Sequence, residues 1–567
     1  MAEDRARPAA LSREAGVVAR GSALNVVAMT VGAVLGFALT VLVSRWLQPR
    51  ETGALFELIA LFTILSNTLE LGADTGLTRW ISRARAIGGI ADVRRIVTVA
   101  IVPVLVVGTA VAATVWVAAP ALAHGFLHGM DPVAATADFR IVAPLVPLGA
   151  LSACVLAGAR GFGRMWPYLA VEGLGKPALR LGLMLGALAI GWKLQGALIA
   201  WSLPVAAGLV VGWLILAGLI RVELRAAWRS LSPPAGGAAQ PRPEGPRATS
   251  PRLAAGRHRS RGRGQHRVPR QVAMRLNARL AGDFWRFAAP RGLAGTFQIV
   301  VIWLDILLVG ALVSRYAAGV YAATSKLAVV GTFALEGTRL SIAPQLSALL
   351  ARSERGRAAD LYQSATRWLM LASWPVYVIF AIFPAVVLGI FGPPYTAGAA
   401  ALVVLSLAML INLGTGNVTV VLLMSGKSSW NVVNALAALV VNIGLNLILV
   451  PRIGITGAAI AWAASIVVDN VAAVIEVWWM LGLAPFGRGY ALVVAATAGC
   501  FGLTGLAART LLGETLPGLI LATAVGLIGY VAIAYAARAR LQLAELSTVF
   551  RLRRARPAAN EPSQHAA

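Results

Sequence analysis

The residues of this chain that could do chemistry are a few ions set inside long apolar runs. Glu70, Asp74 and Arg79 share one run, with the two acids four residues apart and so on one helix face. Glu172, Lys176 and Arg180 follow at four-residue steps in another. Arg291 and Asp305 share a third run, Lys326, Glu336 and Arg339 a fourth, and Asp469 and Glu476 a fifth. An ion in a membrane-spanning helix costs about 2.5–3.5 kcal/mol on insertion scales, so it faces a cavity or a partner. Two readings follow. In the first, Glu70–Asp74–Arg79, Glu172–Lys176–Arg180 and Glu336–Arg339 are ion pairs that hold a helix bundle together. In the second, these residues, with Asn25 of the first run, line a water-filled cavity whose cations bind a phosphate-bearing substrate. Arg and Lys are the natural partners of a pyrophosphate. Arg291 and Lys326 have no acid one turn away in their own helices and are the leading cavity cations. Arg79 and Arg339 lie nearer the ends of their runs, where they can anchor the interface instead. Asp305 and Asp469, with Asn442, are candidates for a proton or sodium site; a packed polar pair is the plainer reading.

Other patterns carry less. Met424-Ser425-Gly426-Lys427-Ser428 ends like a phosphate-binding loop, but Val421 stands where the first glycine is required. His124 and His128 are four residues apart with no third ligand beside them. Cys154 and Cys500 both fall in apolar runs and read as packing residues. No catalytic triad, metal cluster or ATP-binding motif is expected, so the chain does not read as an enzyme.

The elements that must position these ions are transmembrane helices. The 567 residues are 58% hydrophobic and 13% charged, with mean hydropathy +0.76, against about 25% charged in a soluble domain. Fourteen runs are long enough to cross a bilayer at about 20 residues each: 22–45, 53–78, 96–119, 139–160, 167–190 and 195–220, then 287–313, 319–343, 364–391, 398–424, 430–450, 455–481, 490–511 and 516–537. The expected fold is an all-α polytopic membrane protein. A first run of about 23 residues exceeds the 7–15 of a signal-peptide core, so it reads as a retained span.

Arg79, Arg83, Arg85, Arg94 and Arg95, then Arg160 and Arg164, then Arg352, Arg355 and Arg357, then Lys427 and Arg488 mark one set of loops. The opposite loops are short, and 120–138 holds no Lys or Arg. The positive-inside rule puts both termini in the cytoplasm. Most of the net charge of +27 is then a topology signal. Residues 221–283 hold fourteen arginines, with a Pro/Gly/Arg-rich middle from Ser232 to Pro269. They read as a disordered cytoplasmic linker that lies on anionic lipid. No aromatic residues interleave with the arginines of that middle, which argues against nucleic acid.

The two halves echo each other. Gly196-Ala-Leu-Ile-Ala-Trp201 matches Gly457-Ala-Ala-Ile-Ala-Trp462, and Gly53 and Glu70 have the spacing of Gly319 and Glu336. The layout is thus a cytoplasmic segment 1–21, an N-lobe 22–220, the linker 221–283, a C-lobe 284–481 in parallel repeat, two further spans in 482–537 and a basic tail 538–567. Two equal lobes suit alternating access by rocking one against the other.

Phe287-Ala-Ala-Pro290 leading to Trp303-Leu-Asp305-Ile-Leu-Leu-Val-Gly310, then Gly319-Val-Tyr321 and Ala343-Pro-Gln-Leu-Ser347, form a pattern. With Asn446-Leu-Ile-Leu-Val-Pro451-Arg-Ile-Gly454-Ile-Thr-Gly457, and Ser44-Arg45-Trp46-Leu47 in the first half, it resembles the Wzx-type polysaccharide flippases. These belong to the multidrug/oligosaccharidyl-lipid/polysaccharide (MOP) exporter superfamily. The resemblance implies a flippase of the bacterial inner membrane, moving a polyprenyl-pyrophosphate-linked oligosaccharide to the outer leaflet for cell-surface polysaccharide. It further implies sodium ions or protons as coupling ion, and polysaccharide assembly proteins as partners. A lipid II flippase of the same superfamily is the near alternative. A polytopic glycosyltransferase is the alternative of another class, and it lacks a sizeable outer loop for catalytic acids.

Overall fold

The computed structural model describes residues 30–87, 92–126, 131–231, 270–487 and 489–543. Every regular element among them is a helix. Asn25, His128, Arg488, the middle of the linker at 232–269 and the tail arginines from Arg551 lie outside the described residues.

The N-lobe comprises α1 (Thr30–Trp46), α2 (Pro49–Glu70), α3 (Ala73–Ala86), α4 (Val93–Phe126), α5 (Pro132–Val142), α6 (Leu145–Gly161), α7 (Trp166–Tyr168), α8 (Lys176–Ala189) and α9 (Leu194–Leu231). The C-lobe comprises α10 (Arg270–Leu312), α11 (Arg315–Ala328), α12 (Thr332–Ala351), α13 (Arg355–Ile382), α14 (Pro384–Leu388), α15 (Ala399–Gly414), α16 (Val418–Met424) and α17 (Ser428–Leu481). Helices α18 (Tyr490–Thr497), α19 (Thr504–Leu512) and α20 (Leu516–Ala536) pack on α13 beside it. One end of the bundle carries the linker, between α9 and α10; it is called the linker side below, and the other end the far side.

Eleven helical runs are long and apolar enough to cross a membrane, where fourteen spans are expected from the sequence. The difference has three sources. Helix α1 is described only from Thr30 and is short there. The stretch between α7 and α8 is a π-helical turn, Leu169–Gly175, which divides a run that is continuous in hydropathy. Helix α17 joins two helices across non-helical backbone at Ile453 and Gly454. There Gly454 takes φ 59°, a conformation open to glycine, and Pro451 lacks a backbone donor.

The linker's two ends are helical. Helix α9 runs to Leu231 and α10 starts at Arg270, because 221–231 and 270–281 are rich in Arg, Ala and Leu and hold no Gly or Pro. The lobes meet through α2 and α3 on one side and α10 and α11 on the other. Glycine makes these crossings close. A Cβ on Gly72 would lie 2.1 Å from the Ala288 carbonyl oxygen, and one on Gly292 would lie 2.3 Å from the Leu71 carbonyl carbon. Without lipid-excluding hydrophobic force between helices, such small-residue contacts supply the packing.

Candidate functional site

Two cationic stations lie on the seam between the lobes. The first is on the linker side, where α3 of the N-lobe crosses α10 of the C-lobe. The Arg79 guanidinium carbon lies 4.0 Å from the centroid of the Phe287 ring, and that of Arg291 lies 4.0 Å from the same centroid. One aromatic ring therefore carries a cation from each lobe. Neither arginine pairs with a carboxylate among the described residues. The second station is deeper. The Lys326 Nζ of α11 lies 4.0 Å from the Trp303 ring of α10 and 5.6 Å from the Phe56 ring of α2. Cation–π contacts of this kind stabilise by about 0.5–2 kcal/mol and leave the ammonium free to accept an anion. Lys326, too, has no carboxylate partner among the described residues.

The acids expected beside Arg79 are elsewhere. Leu71 (φ 50°) and Gly72 (φ 77°) are left-handed and separate α2 from α3, so Glu70 ends α2 while Asp74 and Arg79 share α3 without pairing. Asp74 instead meets Arg160 of α6 at 4.0 Å, and Arg79 turns to Phe287. Glu70 sits among Asp74, Arg160, Glu172 and Lys176 inside the N-lobe. Lys176 is buried; it donates to Glu172 at 2.5 Å and to the Ser152 hydroxyl at 3.1 Å. Arg180 leaves the ladder, stacking 4.4 Å over the Trp201 ring and donating to the Trp201 carbonyl at 3.3 Å. Glu336 and Arg339 form an exposed pair at 3.0 Å within α12, away from Lys326 on its own helix.

A third polar site is enclosed by the C-lobe. Asp305 is fully buried. Its carboxylate accepts from Tyr321 Oη of α11 at 2.9 Å and from Asn446 Nδ2 of α17 at 2.8 Å. Asn442, one turn before Asn446, is fully buried with its amide turned toward Asp305, and its Oδ1, like Asn446 Oδ1, has no hydrogen-bond partner. Asp469 does not join this group. It lies in the second half of α17, beyond the bend at Ile453–Gly454, and forms no hydrogen bond or ion pair among the described residues. Its neighbour Asn470 bonds Thr415 and Asn412. Among the described residues no cluster of His, Cys, Asp and Glu could hold a metal in the manner of an enzyme site. The oxygens of Asp305, Asn442 and Asn446 are instead the hard donors that a sodium ion takes.

The structure thus brings Arg79 to Arg291, Lys326 to the lobe seam, and Asn442 to Asp305. Sequence reasoning missed Phe287, Trp303 and Phe56, whose aromatic character carried no charge signal. It also missed Asn446 and Tyr321 as partners of Asp305; the four-residue step from Asn442 to Asn446 was the available clue. Glu57 of α2 was missed as well. It is 2% exposed, both its carboxylate oxygens lack hydrogen-bond partners, and it packs on the backbone of Gly310.

No family model matches the chain. A curated relative from Haloferax volcanii, "Probable low-salt glycan biosynthesis flippase Agl15", is 23% identical over 199 residues, which are 34% of this chain and 41% of the relative's length. Among solved structures, the lipid II flippase MurJ in its inward closed conformation superposes with a TM-score of 0.64 at 11% identity, covering 91% of this chain and 99% of that one. An inward-facing multidrug resistance MATE transporter of the MOP superfamily superposes with a TM-score of 0.59 at 14% identity, covering 82% and 96%. These proteins are flippases and transporters, not enzymes. The chain therefore has the fold of these MurJ and MATE structures, and its eleven long apolar helical runs make it a multi-pass membrane protein.

Proposed function

We propose that this protein is a flippase of the bacterial inner membrane. It carries a polyprenyl-pyrophosphate-linked oligosaccharide from the cytoplasmic to the outer leaflet by rocking its two lobes. The observation that carries this reading is the Arg79–Phe287–Arg291 contact. Two cations from opposite lobes meet without an acid between them, and a pyrophosphate bridging them supplies the missing charge. Lys326 provides a second station further along the seam. The lipid tail stays in the bilayer. The sugar needs the cavity, because a hydroxyl moved into hydrocarbon without a hydrogen bond costs about 4–8 kcal/mol. The names of Agl15 and MurJ, a glycan biosynthesis flippase and a lipid II flippase, support the same class of cargo.

The coupling ion is assigned to the C-lobe. Asp305, Asn442 and Asn446 hold a sodium ion or, at Asp305, a proton. The ion supplies positive charge beside a buried carboxylate, and its binding joins α10 to α17. The unpartnered oxygens of Asn442 and Asn446 support this assignment.

The test is the leaflet accessibility of lipid-linked oligosaccharide after depletion of the protein. Inner-leaflet accumulation of a complex oligosaccharide, with peptidoglycan synthesis intact, is expected. Accumulation of lipid II with lysis moves the cargo to the peptidoglycan precursor. Arg291→Glu and Lys326→Glu are each expected to stop transport in protein that inserts normally; unchanged export in both removes these stations from the substrate path.

A further inference from the structure

A separate cavity opens on the far side of the N-lobe, away from both stations. The end of α4 carries the internal Pro120, and α5 begins at Pro132. Between them lies a cavity of about 540 Å³, lined by Trp116, Pro120, His124, Val133, Arg140 and Ile141 among others. Its size falls within the roughly 300–1,000 Å³ of small-ligand sites.

The polar groups of this cavity are unbalanced. The Arg140 guanidinium lies 5.8 Å from the Trp116 ring centroid and meets no carboxylate among the described residues. The nearest acid in sequence, Asp138, is buried on α5 with neither carboxylate oxygen hydrogen bonded, forms no ion pair with Arg140 and is not part of the cavity wall; Asp131 turns back to accept the Val133 amide at 3.3 Å and caps α5. The Thr136 hydroxyl is spent on the Pro132 carbonyl. What remains is a guanidinium and an imidazole against apolar walls, with no counter-charge.

Depth makes that imbalance costly. Arg140 is eight residues into α5, about 12 Å from its start at 1.5 Å per residue. The headgroup layer is only about 5–7 Å deep on each face. A cation at that level requires an anion that is itself anchored in the membrane. We propose that this cavity binds the phosphate head of an anionic membrane lipid. Arg140 and His124 hold the phosphate, Trp116 flanks it, and an acyl chain lies along Val133 and Ile141. The basic linker lies at the opposite end of the bundle, so this is a second lipid contact on the other face.

The full-length protein, extracted with a mixture of phosphatidylglycerol and phosphatidylcholine, is the material for the test, and retained lipid is counted by native mass spectrometry. Wild type is expected to keep phosphatidylglycerol over phosphatidylcholine. Arg140→Gln should lower that retention roughly tenfold, the scale of one lost charge-assisted hydrogen bond. Val133→Glu is a change at an exposed position two turns from Arg140 on the same face; it should lower retention as much without disturbing packing. Lys193→Gln, an exposed far-side cation outside the cavity, should change nothing. Equal losses in Arg140→Gln and Lys193→Gln, or equal retention of both lipids by wild type, would overturn the site. Displacement of the lipid by millimolar inorganic phosphate would reassign it to a soluble anion and overturn the lipid reading.

Discussion

Gly53 of α2 and Gly319 of α11 face each other across the lobe seam on the far side. A Cβ on Gly53 would lie 2.0 Å from the Arg315 carbonyl oxygen; a Cβ on Gly319 would lie 2.1 Å from the Pro49 carbonyl oxygen. Each glycine rests on the residue four positions before the other, as a local two-fold axis requires. The internal repeat is therefore expressed as a contact between equivalent residues, and it closes the far side of the seam. Around it, Tyr395 donates to Thr52 at 3.0 Å, and Arg45 donates to the Ile390 and Gly389 carbonyls at 2.7 and 3.0 Å.

This crossing predicts a gate. Gly319→Val forces the two backbones apart, an overpacking that costs about 1–3 kcal/mol and so shifts the closed state by about tenfold. The measurement is thiol labelling of Ala54→Cys, a site now 1% exposed, with Cys154 and Cys500 replaced. A membrane-impermeant reagent should label the Gly319→Val background at least about tenfold faster. Equal labelling rates would show that the crossing is not what closes this side.

The shared ring of Phe287 predicts a second asymmetry. With Phe287→Leu the seam keeps its apolar bulk but loses two cation–π contacts, about 0.5–2 kcal/mol each. Flipping in proteoliposomes should fall roughly tenfold, while the melting temperature changes little. Phe287→Tyr keeps the ring and should stay near wild type. A Leu variant as active as wild type would mean that Arg79 and Arg291 need no aromatic support.

The C-lobe site predicts opposite effects with and without ion. Asn442 is buried with its amide oxygen unpaired, which costs about 1–3 kcal/mol when nothing fills the site. Asn442→Leu should therefore raise the melting temperature in sodium-free buffer. It should also abolish the stabilisation that saturating sodium gives wild type, about 2.7 kcal/mol at a hundredfold excess over Kd. Asp305→Asn should lose the same ion response and transport with it. If sodium stabilises wild type and Asn442→Leu equally, the ion binds elsewhere; if it stabilises neither, Asp305 is left with the proton alone.

Much of this architecture was legible in the chain. Hydropathy marked the spans, and the Gly53/Gly319 spacing marked the repeat that the structure turns into a contact. Charge inside apolar runs pointed to Arg79, Arg291 and Lys326, which lie on the lobe seam, and to Asp305, which lies inside the C-lobe. What was not legible depends on local backbone. Four-residue spacing implies one helix face only while the helix continues. Leu71–Gly72 interrupts it after Glu70, and Ile453–Gly454 separates Asp469 from Asn442; Arg180 keeps its step from Lys176 in α8 but turns onto the Trp201 ring. The aromatic partners were invisible for another reason. Trp303 and Phe287 read as ordinary membrane residues until the seam placed cations on them.

The pair Glu172–Lys176 separates structure from transport. Its side chains are 29% and 9% exposed, so removing one partner strands a largely buried charge. Glu172→Gln should destabilise the protein by about 1–3 kcal/mol. The double variant Glu172→Gln with Lys176→Met removes both charges and should recover most of that loss, since replacing a buried pair by apolar groups is often neutral. Melting curves of the two variants and wild type measure this. Transport by the double variant then decides the role of the pair. A stable, active double variant makes the pair a packing device. A stable, inactive double variant beside an active Glu172→Gln places Lys176 among the substrate-binding cations, because the Lys176 charge is then what separates the two variants.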